Sequence, residues 1–206
     1  MPELENRTYA VLNPIDEEDI IHNAQLDAVI YDVGYLNLVS VARLTKEKEI
    51  SRIVNILGKI DSSRVRYHII GEGRERVSIE NVIREKGLKN VVTLWGEDSN
   101  PYRYMGNADL LVVPSYHEAA PVVFQEAKAL GIPTLTTRTT SADEMIGEAY
   151  GFVTENNDTD LEKKIRELVE QPDILYQKKK RMRIEKRKKA ADQLVLTEII
   201  ESLLTE

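Results

Sequence analysis

The feature that most constrains this chain is the alternation, from Tyr35 onward, between short apolar runs and longer stretches of helical period. Turn residues bound the apolar runs, which are rich in β-branched side chains. Such an alternation is typical of βα units, because helices connect the parallel strands of one sheet. The sequence therefore predicts an α/β fold with a mostly parallel, six-stranded sheet and helices on both of its faces.

The six predicted strands are Leu36–Ala42, Val65–Ile70, Val91–Leu94, Leu110–Val113, Thr134–Thr137 and Phe152–Val153. Helical periodicity predicts the connecting helices Lys48–Ile60, Arg74–Lys86, Tyr102–Gly106 and Val122–Leu130. After the last strand the pattern predicts helices alone, over Thr159–Val169 and Asp173–Leu204. We expect these last helices to pack on the sheet or on a neighbouring domain.

The predicted sheet divides the chain into a lead-in segment (residues 1–34), a domain (35–171) and a helical tail (172–206). The lead-in holds one short apolar run, Tyr9–Leu12, and a polar, helix-like stretch, which is too little for a domain. The chain has no cysteine, no secretory-signal pattern at its start and no apolar run of the ~18 residues that a membrane span requires. We therefore expect a cytoplasmic protein.

Charge is distributed unevenly along the chain. The 28 basic and 35 acidic residues give a net charge of −7, which disfavours nucleic acid as a partner. The run Lys178–Lys189 nevertheless holds nine basic residues and one acid. This run could be solvated, or it could pack on another domain. It could also contact the anionic inner surface of a membrane, or bind nucleic acid. The scarcity of nearby aromatic residues argues against the last of these.

Two motifs that begin like known metal or nucleotide sites are incomplete. His117-Glu118 starts the zinc pattern HExxH, but Pro121 takes the place of the second histidine. Gly71 and Gly73 follow a predicted strand, as a dinucleotide loop would, but Arg76 takes the place of the third glycine. An ordinary βα turn that needs a positive φ explains the two glycines equally well.

A DxD pattern also has a plainer explanation. Asp158 and Asp160 match the pattern of metal-dependent nucleotide-sugar enzymes, but they precede a predicted helix. Acidic residues at such positions serve as helix caps. With no cysteine and three histidines in the chain, a structural zinc site is not expected either.

A candidate anion site follows the predicted strand Leu110–Val113. Ligands of parallel sheets bind beyond the carboxyl ends of the strands, where the first turn of the next helix presents free N–H groups. The small residues Ala119 and Ala120 would let a ligand approach the backbone. Glu118 and Glu126 would place two carboxylates nearby, where they could accept hydrogen bonds from sugar hydroxyls.

Two basic residues follow the first predicted strand. Arg43 lies at the end of that strand, and Lys48 begins the next predicted helix, where a positive charge opposes the helix dipole. No structural role explains a positive charge at this position. The pair Arg43 and Lys48 could therefore bind phosphate, or both could be solvated surface residues.

In their order and spacing, these elements resemble the carboxy-terminal, donor-binding domain of a retaining GT-B glycosyltransferase of family 4, also described as glycosyl transferases group 1. The resemblance extends over residues 35–170 and implies a single Rossmann-like, doubly wound domain. The matching segments are SVARLTKEK (40–48), HIIGEGRER (68–76), VVTLWG (91–96) and ADLLVVPSYHEAAPVVFQEAKALGIPTLTT (108–137). Glu118 and Glu126 take the two glutamate positions of the family's E-x7-E region.

The resemblance also implies roles for the matching residues. Arg43 and Lys48 would hold the donor diphosphate. Glu118 would be the catalytic-site residue that meets hydroxyls of the transferred sugar, and Glu126 would bind the nucleotide ribose. The remaining assignments are the sugar and phosphate loop, Glu118, Ala119, Ala120, Pro121, Val122 and Val123; the neighbours of the base, Trp95 and Gly96; and the glycine-rich turn, Gly71 and Gly73.

By the same resemblance, the substrate would be a nucleotide sugar, with a UDP-sugar as the commonest donor, and neither a metal nor a cofactor would be needed. A hexose-type sugar would pass to a glycan or lipid-linked acceptor in surface polysaccharide synthesis. Asn13-Pro14-Ile15-Asp16 resembles the connection between the family's two domains. The partner would then be a missing amino-terminal Rossmann-like acceptor domain, and this chain alone would be inactive.

The sequence departs from the family pattern at Ala42, Glu49 and Ala119, which stand where the family has glycine. These departures favour an alternative function, in which the fold serves as a non-catalytic scaffold for a protein partner.

Overall fold

A computed structural model describes residues 13–186 of the chain. Its strands are β1 (Leu36–Val41), β2 (Val65–Ile70), β3 (Val92–Gly96), β4 (Leu110–Val113), β5 (Thr134–Thr137) and β6 (Gly151–Thr154). They form one sheet in the order β3-β2-β1-β4-β5-β6, and each neighbouring pair is parallel. The prediction of a six-stranded, doubly wound parallel sheet is confirmed.

The helices in this part of the chain follow the predicted alternation. They are α1 (Glu17–Gln25), α2 (Ile50–Leu57), α3 (Arg76–Glu85), α4 (Tyr102–Met105), α5 (Val122–Leu130), α6 (Ala142–Met145), α7 (Gly147–Tyr150), α8 (Asp158–Glu170) and α9 (173–186). One core lies where α2, α3 and α8 cover the sheet, with Ile53 and Leu161 at its centre. The other lies under α4, α5 and α6 and contains Phe124. Helices therefore cover both faces, as predicted.

The predicted helix Lys48–Ile60 is wrong at its start. Lys48 ends a short 3-10 turn, Lys46–Lys48, and α2 begins at Ile50. Glu49 separates the two because its φ of 49° is left-handed. Lys48 therefore does not oppose the dipole of α2, and that reason for expecting phosphate at Lys48 is withdrawn. The short helices α6 and α7 were not predicted, although α4, which is equally short, was.

Both flanking segments contact the domain where they are described. Helix α1 packs on α4 and α5. On α9, Leu175 and Met182 are buried, and Lys179 Nζ lies 2.9 Å from Asp109 Oδ1. Tyr9–Leu12, residues 187–189 of the basic run and the rest of the predicted tail lie outside the described residues. Within residues 13–186, no helix combines the length and the apolar character that crossing a membrane requires.

The glycine-rich turn joins the loops that follow β1 and β2. A Cβ on Gly71 would lie 1.9 Å from the carbonyl oxygen of Ala42, and one on Gly73 would lie 2.2 Å from that of Leu44. The Leu44 N–H also donates to Glu72 O over 2.8 Å. These contacts hold the backbone on both sides of Arg43. The glycines are thus required for close packing, which agrees with the plainer interpretation of their spacing.

We expect Gly71→Ala to lower the free energy of unfolding by about 2–4 kcal/mol, because its positive φ adds strain to the clash with Ala42 O. Gly87→Ala is the matched control. Gly87 also has a positive φ, 70°, but a Cβ there would meet nothing within 4 Å, so a loss of only about 1 kcal/mol is expected. Urea unfolding measures both values, and equal losses would show that the contact with Ala42 is unimportant.

Candidate functional site

The carboxyl ends of β1 and β4 lie side by side in the sheet, and the loops that follow them bring Lys48 and Glu118 together. Lys48 Nζ lies 2.5 Å from Glu118 Oε1. The Ser115 hydroxyl donates a second bond to the same oxygen over 2.7 Å. The Glu118 side chain is only 9% exposed, so both partners hold it in one position. Two residues predicted from separate motifs therefore form one cluster.

Every backbone carbonyl from position 114 to 116 accepts a hydrogen bond from a different element. Arg52 of α2 donates to Pro114 O over 3.0 Å, and Thr137 at the end of β5 donates to Ser115 O over 2.5 Å. Asn156, which follows β6, donates to Tyr116 O over 3.1 Å. The bonds to Pro114 O and Ser115 O are buried and the bond to Tyr116 O is exposed. Together they fix the loop that carries Glu118.

Arg52 is a residue that the sequence analysis missed. It is 5% exposed, and its Nε lies 2.7 Å from Asp158 Oδ1. Its Nη1 also donates to Asn156 Oδ1 over 3.0 Å, and the guanidinium lies 4.9 Å from the centre of the Tyr116 ring. Arg52 therefore ties α2 to the loops after β4 and β6. One basic residue on an amphipathic helix gives no sequence signal for this role.

Arg43 and the start of α5 supply the rest of the expected anion site. Arg43 is exposed, and among the described residues it forms no ion pair. Pro121, which has no N–H, is the N-cap of α5, and the N–H groups of Val122 and Val123 have no acceptor within the helix. Arg43 is thus an exposed cation in the loop after β1, and the first turn of α5 begins four residues after Glu118.

The residues that replace family glycines differ in conformation. Glu49 has a positive φ, which explains why glycine suits this position. Ala42 and Ala119 are not among the described residues with positive φ, so alanine adds no backbone strain there. Glu49 also lines a cleft of about 380 Å³, together with Lys46, Glu47, Tyr116, His117 and Asn156.

Glu126 lies in the middle of α5 and is bonded by a residue that was not predicted. The Tyr102 hydroxyl of α4 donates to Glu126 Oε1 over 3.0 Å. Burial raises the pKa of the Glu126 carboxyl above its ordinary value of 4.5, against the opposing effect of this bond. Burial and the neighbouring carboxylate also raise the pKa of Tyr102, to about 12. The two side chains thus form a half-buried pair in which Tyr102 stays the donor.

Trp95 belongs to an aromatic cluster at the end of β3. Its Nε1 donates to His68 Nδ1 over 3.2 Å, and its ring centre lies 5.0 Å from that of Tyr104. Tyr31 stacks on His68 at 4.1 Å. Burial, assisted by Arg66, lowers the pKa of His68 to about 4, so this histidine is a neutral acceptor that orients the indole. Gly96 ends the strand, and its carbonyl accepts from Gly71 N over 2.7 Å.

The DxD residues serve the fold. Asp158 pairs with Arg52, and the side chain of Asn157 caps α8 by accepting from Asp160 N over 2.9 Å. The cap is thus the residue before the motif, where the sequence had suggested the aspartates themselves. Across residues 13–186, the structure holds no group of three or more histidine or acidic side chains placed to bind a metal ion.

We expect Arg52→Met to lower the free energy of unfolding by about 1–3 kcal/mol, because Pro114 O and Asn156 lose their buried donor. Asp158 is largely exposed and stays solvated. The control Arg76→Met removes surface ion pairs with Glu72 and Glu80 and should change the value by less than about 1 kcal/mol. Urea unfolding measures the free energy of both variants. Faster hydrogen exchange of the Tyr116 amide should accompany Arg52→Met but not Arg76→Met. Similar effects of the two variants would contradict the role of Arg52.

Comparison with solved structures agrees with this architecture. The fold matches WaaG, a glycosyltransferase involved in lipopolysaccharide biosynthesis, with a TM-score of 0.67 and 22% identity over 87% of this chain and 48% of that one. It also matches Anabaena Alr3699/HepE in complex with UDP, with a TM-score of 0.67 and 19% identity over 93% of this chain and 54% of that one. At these identities the likeness concerns the fold alone.

Two curated relatives match part of the chain. A Campylobacter jejuni N-acetylgalactosamine-N,N'-diacetylbacillosaminyl-diphospho-undecaprenol 4-alpha-N-acetylgalactosaminyltransferase is 29% identical over 69% of this chain and 39% of its own length. The O-antigen biosynthesis glycosyltransferase WclY of Escherichia coli is 28% identical over 62% of this chain and 36% of its own length. The chain thus spans less than two-fifths of either relative.

The family itself is shown by a match that includes every element of the site. Residues 32–190, which run from before β1 to the residue after the basic run, match the model of the family described as glycosyl transferases group 1. This match extends over most of the chain and contains Arg43, Lys48, Glu118 and Glu126. The chain belongs to the glycosyl transferases group 1 family.

Proposed function

We propose that this chain is the carboxy-terminal, donor-binding half of a retaining family 4 glycosyltransferase. The observation that carries the proposal is the contact between Lys48 and Glu118, 2.5 Å long, beside the first turn of α5. A lysine and a carboxylate fixed together at the carboxyl edge of a parallel sheet suit a ligand that has both phosphates and hydroxyls. A nucleoside diphosphate sugar is such a ligand.

In the proposed reaction, the bond between the anomeric carbon and the diphosphate oxygen breaks, and an acceptor hydroxyl oxygen bonds to that carbon. The proton of this hydroxyl passes to the departing diphosphate. Negative charge collects on the leaving diphosphate. Arg43, Lys48 and the N–H groups of Val122 and Val123 stabilise this charge without a metal ion. Glu118 accepts hydrogen bonds from sugar hydroxyls, and because Ser115 also holds it, it stays in place when Lys48 turns to the phosphate.

The nucleotide lies, in this proposal, between Glu126 and Trp95. The Glu126 carboxylate accepts hydrogen bonds from the ribose hydroxyls, while the indole held by His68 borders the base. We assign uridine to the base, and support comes from the HepE structure, which is a complex with UDP. A structure of Staphylococcus aureus TarM, which has a similar fold, is also a complex that includes UDP.

The acceptor, in the same proposal, is a glycan or a lipid-linked sugar of a surface polysaccharide. Support comes from the relatives, whose names specify a diphospho-undecaprenol acceptor and O-antigen biosynthesis. The acceptor site and the completion of the reaction are assigned to a second, amino-terminal Rossmann-like domain. This assignment rests on the chain's coverage of only part of its relatives.

We expect UDP to raise the melting temperature of this chain in the presence of EDTA, since a ligand that binds only the folded state stabilises it. GDP and ADP serve as comparisons in the same panel. Arg43→Ala should weaken UDP binding by about 1.5–3 kcal/mol through the loss of a charge-assisted bond to phosphate. Arg84→Ala, an exposed arginine on α3, is the matched control and should bind as the wild type does. A panel without any response would favour the scaffold interpretation.

We also expect the affinity for UDP to fall as the pH is lowered from 7 through the raised pKa of Glu126, because protonation removes the negative charge that accepts the ribose bonds. The measurement is calorimetric titration of wild type and Glu126→Gln across this range. The ratio of their affinities cancels the titration of UDP itself. The wild type should bind UDP more tightly than Glu126→Gln at pH 7, and the ratio of the two affinities should approach one at low pH. A ratio that does not change with pH would contradict ribose binding by Glu126.

A further inference from the structure

A second cavity lies at the amino edge of the sheet, away from the candidate site. It has a volume of about 760 Å³ and is lined by the start of β1, the end of α8 and one side of α9. Because β1 has six residues, the cavity lies about 20 Å from the carboxyl edge. A ligand in this cavity would not compete with a nucleotide beside Lys48 and Glu118.

The cavity has a cationic rim. Lys179 is neutralised by Asp109 at 2.9 Å. Of the other charged side chains that line the cavity, Arg64, Lys180 and Arg183 are basic and Glu170 is acidic. These three basic side chains form no ion pair with any described residue. In a chain whose net charge is −7, a concentration of unpaired cations at a cavity favours an anionic ligand.

The same cavity has an apolar and aromatic side. Tyr176 and Ile184 line it and are 63% and 45% exposed, while Leu36 and Val169 border it from the sheet and α8. On α9, positions 176, 180, 183 and 184 share one face because they are spaced by three or four residues. Exposed apolar side chains therefore stand on either side of the two cations along a single helix face.

The structure also limits which part of the basic run is available. Lys178 donates to Glu148 O, Lys179 to Ala108 O and Lys186 to Ala129 O, so these lysines fasten α9 to the domain. The cations that remain on the cavity face are Lys180 and Arg183, and they lie beside Tyr176 and Ile184. The run is thus not a uniform charged surface.

We propose that this cavity binds anionic phospholipid at a bilayer surface, with the phosphate at Arg64, Lys180 and Arg183 and the apolar part of the lipid against Tyr176 and Ile184. Arginine binds phosphate through paired N–H groups, and interfacial helices combine basic residues with aromatic and aliphatic ones. A small soluble anion would leave the apolar side without a contact. An apolar ligand without charge would leave the cations unpaired. The proposal does not rest on the nucleotide site.

The test is co-sedimentation of the full chain with vesicles of phosphatidylcholine that contain about a third phosphatidylglycerol, compared with pure phosphatidylcholine. The chain should bind the anionic vesicles alone. Arg183→Glu should weaken this binding by about tenfold or more, since each basic side chain near an anionic surface contributes about a fivefold gain. Arg181→Glu is the matched control, because Arg181 is exposed on the same helix but does not line the cavity. It should lose less than about threefold.

Tyr176→Ser tests the apolar half of the proposal, because it leaves the charge unchanged. It should weaken vesicle binding several-fold, while urea unfolding shows that each variant remains folded. The proposal is overturned if the anionic vesicles are not bound, if the two arginine variants lose equally, or if Tyr176→Ser binds as the wild type does. Displacement of the vesicles by soluble glycerophosphate would also overturn it. So would binding of poly-glutamate in place of the vesicles, with the same dependence on Arg183 and Tyr176. UDP binding stays unaffected by the three variants.

Discussion

The change of direction in the sheet between β1 and β4 is the constraint on which the candidate site depends. From β1 the chain builds outward to β2 and β3, and it then returns to build β4, β5 and β6 on the other side. Because crossovers are right-handed, the loops after β1 and β4 depart to opposite faces and leave a crevice between them. Lys48 and Glu118 come from these two loops and meet across the crevice.

Hydrogen bonds to backbone carbonyls turn this crevice into a site of fixed geometry. The loop that carries Glu118 has no regular structure of its own, so its backbone carbonyls take donors from other elements. Arg52, Thr137 and Asn156 supply them from α2, β5 and the segment after β6. The glycine-rich turn does the same for the loop around Arg43, by letting two backbones approach closely. Residues outside the cluster of Lys48 and Glu118 thus determine where its charged side chains lie.

The two edges of the sheet have different chemistry. At the carboxyl edge Lys48 and Glu118 lie together, an arrangement suited to a ligand with phosphates and hydroxyls. At the amino edge unpaired cations adjoin exposed apolar side chains of α9. Three lysines of the basic run are used to fasten α9 to the domain, and Lys180 and Arg183 remain on the cavity face. One domain could in this way hold a soluble donor at one edge and a lipid surface at the other.

The sequence by itself determined the strands, the helices α2 to α5 and α8, and the family motifs, because burial repeats with a period of two or 3.6 residues and motifs keep their spacing. It placed Glu118 and Glu126 correctly on a loop and a helix. Only the tertiary structure decided the strand order, the left-handed turn at Glu49 that separates Lys48 from α2, the bond from Tyr102 to Glu126 and the role of Arg52. Each of these depends on residues far apart in the chain or on one backbone angle, and neither leaves a periodic pattern in the sequence.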